Sequence, residues 1–277
     1  LVALARLRLL VLIGLVSSSP SGSDVEAREL ADRFGLSFEP RNDRPVEELL
    51  QLSTGAPLLL LGRLSADLFT RTKTGSIQSQ RASLGMALLR FSRALSGEGG
   101  QVDTLVRVAN LSPGDRVIDA TLGLGADALI ASQATRTQVL AFEQSPIIAA
   151  FTQAALRRPT GTPDLRKAAL EAGERILIRA GDHKDLLAAQ ADKSAEVILF
   201  DPMFQAPVES QPVFDVIREH AEMSKLSDDS LAQARRVATR GILIKDSPRG
   251  SELKRLKLEP LHSRRVLFGW ISASEKL

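Results

Sequence analysis

Short apolar runs alternate with segments of helical spacing along most of this chain. From Arg116 onward the alternation is regular. Val117–Asp119, Val139–Glu143, Ile176–Arg179, Val197–Phe200 and Ile242–Lys245 are each short and apolar on successive positions, as strands of a parallel sheet covered on both faces must be. Helical segments fall between them at Pro146–Leu156, Asp185–Ala191 and Ser230–Ala238, with an exposed loop at Thr160–Pro163. Leu258–Ser272 reads as two strands joined at Ser263–Arg265.

The first third carries the same rhythm less regularly. Leu9–Val16, behind Arg6 and Arg8, has the outline of a secretion signal, but the continuing alternation favours a buried strand, and the run is too short to cross a bilayer as a helix. Asp24 is placed to cap a helix through Arg33, with Gly35 as its stop. Leu36–Phe38 and Pro57–Leu61 read as strands, with a helix from Pro45 to Leu52 between them. Arg71–Ser76 reads as a polar connector. Leu84, Ala87, Leu88, Phe91 and Leu95 then recur at helical spacing, Gly97–Gly100 breaks the pattern, and Val102–Ala109 resumes it. The expected organisation is α/β: a small lobe over residues 1–68, a basic connector with helices over 69–110, and a Rossmann-like sheet with helices on both faces over 111–277.

Composition narrows the chemistry. The 277 residues include no cysteine and three histidines, which argues against disulfides, thiolate metal sites and a resident metal ion. Net charge is +3, which permits a polyanionic partner without requiring one. Lys73, Arg81, Arg90 and Arg93 make the stretch before the regular region basic, either as a solvated helix face or as contacts to nucleic-acid phosphates.

The stretch Val117-Ile118-Asp119-Ala120-Thr121-Leu122-Gly123-Leu124-Gly125-Ala126-Asp127 carries the sharpest signal. A strand ends in an acid, two glycines allow a tight turn, and a helix begins whose first N–H groups are unpaired. Such a strand–loop–helix unit binds nucleotide-type ligands in open α/β sheets. Gly123-x-Gly125-x-x-Ala128 with Glu143 further on fits a nicotinamide or flavin nucleotide. Asp119 favours a ligand bearing an amino group and a sulfonium, such as S-adenosylmethionine. Successive strands end in Asp119, Glu143, Asp182-His183 and Asp201, on one edge of the sheet. Glu143 is placed to accept from ribose hydroxyls and Asp182 from an adenine amino group. Asp201-Pro202-Met203-Phe204 offers carboxylate and carbonyl acceptors with a flat apolar face, which suits a planar group bearing an exocyclic amine.

These spaced blocks, Asp119–Ala128, Glu143 and Asp201–Phe204, resemble the ribosomal RNA small subunit methyltransferase J family and a broader set of its relatives. Leu84–Arg90 resembles the element preceding the domain in both. The resemblance implies a cytoplasmic S-adenosylmethionine-dependent enzyme that methylates guanine N2 in small-subunit rRNA. It implies cofactor contacts at Ala126, Asp127, Glu143, Gln144, the Asp182 region and Asp201; the strand ends and the glycine loop themselves add Asp119, Gly123, Gly125 and His183. Asp201, Pro202 and Phe204 would hold the acceptor amine, and Lys73, Arg81, Arg90 and Arg93 the RNA of the small ribosomal subunit. The chain departs from the rRNA enzyme at Asp182-His183, at Lys245-Asp246 and in the length of its first lobe. A nicotinamide-dependent oxidoreductase and a non-catalytic RNA-binding protein of the same fold are the alternatives.

Overall fold

The computed structural model describes residues 14–72, 74–96, 102–202, 226–261 and 266–274. It divides into two compact units, Leu1–Ala82 and Ser83–Leu277.

The first unit is a five-stranded sheet in the order β2-β1-β3-β4-β5. Strand β1 (Leu15–Ser18) runs parallel to β2 (Ser37–Phe38) and β3 (Leu58–Leu61). Both β1 and β3 are buried along their whole length, as the continuous apolar runs require. Helix α1 (Asp24–Phe34) lies between β1 and β2, and α2 (Val46–Leu52) between β2 and β3. The cap of α1 is Ser23, not Asp24. Ser23 accepts from the Glu26 N–H, while Asp24 accepts the Ser18 hydroxyl at 2.6 Å. Gly35 stops the helix as expected.

The expected connector at Arg71–Ser76 is a hairpin turn. It joins β4 (Ala66–Arg71) to β5 (Ile77–Arg81) in an antiparallel meander on β3, so the first unit continues to Ala82 and does not end at residue 68. Lys73 and the break at 97–100 lie outside the described residues, as do residues 1–13, which include the first five positions of the expected strand at 9–16.

The second unit opens with α3 (Gly85–Ser96) and α4 (Thr104–Val108), which Asp103 caps. Its sheet has the order β11-β10-β9-β6-β7-β8. Here β6 is Val117–Asp119, β7 Val139–Glu143, β8 Ile176–Ala180, β9 Ala195–Phe200, β10 Ala238–Asp246 and β11 Leu267–Ser272. Strands β6 to β10 are parallel; β11 returns antiparallel on β10. The crossover helices are α5 (Ala126–Thr135), α6 (Pro146–Leu156), α7 (Pro163–Glu174), α8 (His183–Ala188) and α9 (Asp228–Val237), with α10 (Ser251–Arg255) before β11. Ile118, Phe142, Ile198, Phe200, Ile242 and Ile244 pack in one core cluster. Leu258–Leu261 is not a strand, so of the expected final pair only β11 is found, and residues 262–265 lie outside the described residues. Gly241 on β10 is sterically required. A Cβ there would sit 2.3 Å from Cζ2 of Trp270 and 2.5 Å from the Ile271 carbonyl on β11.

Strand order reverses at β6. From it the chain steps outward through β7 and β8, then returns to place β9 on the other side. The C-terminal ends of β6, β7 and β9 therefore border the crevice where ligands of open α/β sheets bind. Among the described residues no helix is long and apolar enough to cross a membrane, and no group of acids and histidines is placed to hold a metal ion.

Candidate cofactor and acceptor site

The loop after β6 is held from three sides. Gly123 and Gly125 both adopt left-handed backbone (φ +50° and +76°), and Gly125 stands at the N-terminus of α5. A Cβ on Gly125 would come within 3.0 Å of Thr152 Cγ2 on α6. The Thr152 hydroxyl donates to the Gly123 carbonyl at 2.6 Å, and the Gly123 N–H donates to Glu143 Oε2 at 3.0 Å. The Asp201 N–H donates to the Thr121 hydroxyl at 2.6 Å, joining the end of β9 to the same loop.

Glu143 closes β7 and also accepts from the Ser145 N–H at 2.9 Å. Burial raises its proton affinity; the amides of Ser145, Gly123 and Gln144 oppose that shift. An ionised carboxylate has about four lone-pair sites, so Glu143 retains acceptor capacity beyond these amides.

Asp119 is different. It is 2% exposed, and Oδ1 accepts from the Thr121 N–H at 3.1 Å. Its second oxygen has no hydrogen-bond partner among the described residues. Burial first, and then the charge of Asp127, push its carboxyl up to about 8.

Asp127, in the first turn of α5, is also buried but compensated. It pairs with Arg90 and with Lys245, each at 2.7 Å. Burial alone would raise its carboxyl; Lys245 and Arg90 more than reverse this and hold it below the usual range. Lys245 Nζ also pairs with Asp201. Burial would strip the Lys245 ammonium of its proton, but Asp201 and Asp127 hold it firmly charged. The Asp201 side chain is 39% exposed, so of these three acids it is the one open to the crevice. Pro202 follows it, half-buried.

Several expectations change. Arg90 is not available to RNA. Nε and Nη2 donate to Asp103 at 3.0 and 2.9 Å and Nη1 donates to Asp127, so the guanidinium is spent inside the protein. The Asp127 carboxylate is likewise taken by two cations, which leaves its backbone N–H and that of Ala126 as the groups offered at the helix start. His183 meets α9 and β9. Its Nε2 lies 3.1 Å from the Ser230 hydroxyl, and its ring meets Phe200 edge-on. Asp182 caps α8 through the Lys184 N–H at 2.8 Å and remains 45% exposed. Gln144 and Arg93 are exposed. Arg81 is 71% exposed and pairs with Asp67 at 2.9 Å. Phe204 and Lys73 lie outside the described residues. Lys245 and Thr152 were not anticipated. A polar residue inside an apolar run, Lys245 after Gly241-Ile-Leu-Ile and Thr152 within Pro146–Leu156, was the available signal.

The donor set fits S-adenosylmethionine. A buried carboxylate with an open oxygen beside a glycine loop suits the ammonium of a methionine head group. A strand-end acid with spare acceptor capacity suits the ribose.

A family model described as "Putative SAM-dependent methyltransferase" matches residues 64–261. "Uncharacterized protein YpiP" of Bacillus subtilis (strain 168) is 30% identical over 245 residues, covering 87% of this chain and 91% of that protein. "Ribosomal RNA small subunit methyltransferase J" of Pseudomonas aeruginosa (strain LESB58) is 29% identical over 191 residues, 68% of this chain and 66% of that protein. The crystal structure of the SAM-dependent methyltransferase NGO1261 from Neisseria gonorrhoeae aligns with a TM-score of 0.60 at 18% identity, covering 95% of this chain and 97% of that one, which speaks for the fold. The nicotinamide alternative finds no support in these matches. The chain belongs to the SAM-dependent methyltransferase family, and its cofactor is S-adenosylmethionine.

Proposed function

We propose that this protein methylates the exocyclic amine, N2, of a guanine in small-subunit (16S) ribosomal RNA in the cytoplasm. The observation that carries the reading is the place of Asp201. It directly follows β9, the neighbour of β6, bonds through its N–H to the glycine loop, and keeps its carboxylate partly exposed. The name carried by the Pseudomonas aeruginosa relative points to the same class of substrate.

S-adenosylmethionine supplies an electrophilic methyl group. Asp119 would take the ammonium of its methionine part, and the N–H groups at Ala126 and Asp127 its carboxylate. Glu143 would accept from the ribose hydroxyls, and Asp182 with Gln144 would border the adenine. The Asp201 carboxylate and the Pro202 carbonyl would accept the two hydrogens of the guanine amine and so aim its nitrogen. Because that lone pair is delocalised into the ring, orientation and a nearby negative charge count for more than a strong base. Phe204 would stack on the base. Arg81 and Arg93, with Lys73, would meet phosphates.

Mass mapping of small-subunit rRNA from cells with and without this protein tests the reading. The expected result is loss of one N2-methylguanine. An unchanged rRNA map, with labelled methyl recovered on another molecule, would overturn the substrate while leaving the methyltransferase class in place.

A further inference from the structure

A continuous run of charged side chains crosses the second unit. Asp103 before α4 holds Arg90 on α3, Arg90 holds Asp127 on α5, and Lys245 on β10 bridges Asp127 to Asp201 after β9. Lys245 is 13% exposed, between Ile244 and Asp246, which are both fully buried. Lysine is rarely buried without partners. Here the partners are the first turn of the helix that follows the glycine loop and the acid that faces the crevice. Among the described residues, Lys245 is the one side chain bonded to the Asp201 carboxylate.

We propose that Lys245 is a positioning residue for methyl transfer. It fixes the Asp201 carboxylate in the orientation that receives the acceptor amine and ties that carboxylate to the start of α5, so that acceptor and cofactor sites share one rigid link. The proposal rests on the reading of Asp201 as the group that takes the amine. A half-exposed aspartate without a tether samples several rotamers, and a misplacement of about 1 Å costs roughly 10²-fold in rate. Charge acts in the same direction. Lys245 from β10 and Arg90 from α3 face the Asp201 carboxylate as cations, and Asp127 from α5 and Asp119 from β6 as acids. Burial and the charge of Asp127 raise the Asp201 carboxyl and Lys245 opposes them; with Lys245 gone, Arg90 alone opposes both. Asp201 then takes up a proton more readily and loses an acceptor.

The test uses the full chain with Lys245→Met, Lys245→Arg and Lys245→Gln. Single-turnover methyl transfer to unmodified small-subunit RNA is expected to fall about 10²-fold in Lys245→Met, to recover largely in Lys245→Arg, and to do so with S-adenosylhomocysteine affinity changed only a few-fold. The rate of Lys245→Met should rise with pH as Asp201 ionises, with that rise displaced to higher pH than in wild type. A purely structural lysine would not produce that split or that rescue. Lys245→Gln keeps the bulk and a donor but no charge, and gives the same pH test if the Met variant does not fold. A second readout needs no substrate. The 13C carboxyl resonance of Asp201, assigned with Asp201→Asn, should titrate at higher pH in the charge-removed variants than in wild type. That titration, together with a wild-type protein that leaves RNA unmethylated, would uphold the tether and sink the RNA reading. An Asp201 titration and a transfer rate both unaltered by loss of Lys245 would overturn the proposal.

Discussion

In the proposed reading, Asp119 holds a proton that the ammonium of the cofactor displaces. With its carboxyl raised to about 8, the free protein is protonated there at neutral pH. An arriving ammonium makes the carboxylate the better state. S-adenosylhomocysteine is therefore expected to bind with release of a proton and to bind more tightly as pH rises toward about 8. Calorimetry in two buffers of different ionisation enthalpy measures the proton, and Asp119→Asn should abolish it; heats independent of buffer would show that the ammonium binds elsewhere. The same shift acts on stability. An aspartate in the unfolded chain ionises near about 3.9, so the folded state holds the extra proton between that pH and about 8. Its stabilising effect is complete below the lower value and is lost progressively as pH rises to the upper one. Asp119→Asn should flatten that decline in the cofactor-free protein. Asp201→Asn replaces an acceptor oxygen with a donor and should lower single-turnover transfer by about 10²–10³ while sparing cofactor binding; a loss within a few-fold would return Asp201 to a strand-ending turn. Asp119, Glu143 and Asp201 were legible because each closes an apolar strand. Lys245 and Arg90 were not. A strand lysine and a helix arginine look solvated until tertiary packing sets α3 against α5 and β10 beside β9.

The glycine loop works as a unit with α6. Gly125→Ala would force a side chain into left-handed backbone, at a cost of about 1–2 kcal/mol, and drive its Cβ toward Thr152 Cγ2. Denaturant midpoints should fall accordingly and S-adenosylhomocysteine affinity with them. Adding Thr152→Ser should recover the steric part alone, and an innocuous Gly125→Ala would mean that the loop is not locked from α6. The parallel strands were readable because burial on both faces leaves an unbroken apolar run. Val117–Asp119, Val139–Glu143 and the helix Pro146–Leu156 stand where the periodicity placed them. The β4–β5 hairpin was not readable. Gln78, Ser79 and Arg81 leave β5 with no apolar alternation, and its pairing with β4 comes from tertiary structure.

For the whole molecule, family and fold were legible because the acid at each strand end and the glycine loop are spaced as one set. The boundary at Ala82 was not, for the same reason that hid the hairpin. The basic stretch also divides differently from its sequence. Arg90 is internal, whereas Arg81 and Arg93 remain at the surface. Replacing Arg81 and Arg93 with alanine should weaken binding to small-subunit RNA and make it less dependent on salt, with cofactor affinity unchanged. An unaltered salt slope would return both to ordinary solvated surface. One further property follows from Trp270 lying over Gly241. The chain contains one tryptophan and no tyrosine, so red-edge-excited fluorescence comes from a single ring in the second unit while the first unit is dark. Circular dichroism sees both. Followed together through a denaturant titration, the two signals tell without any label whether the units melt as one cooperative body or in succession.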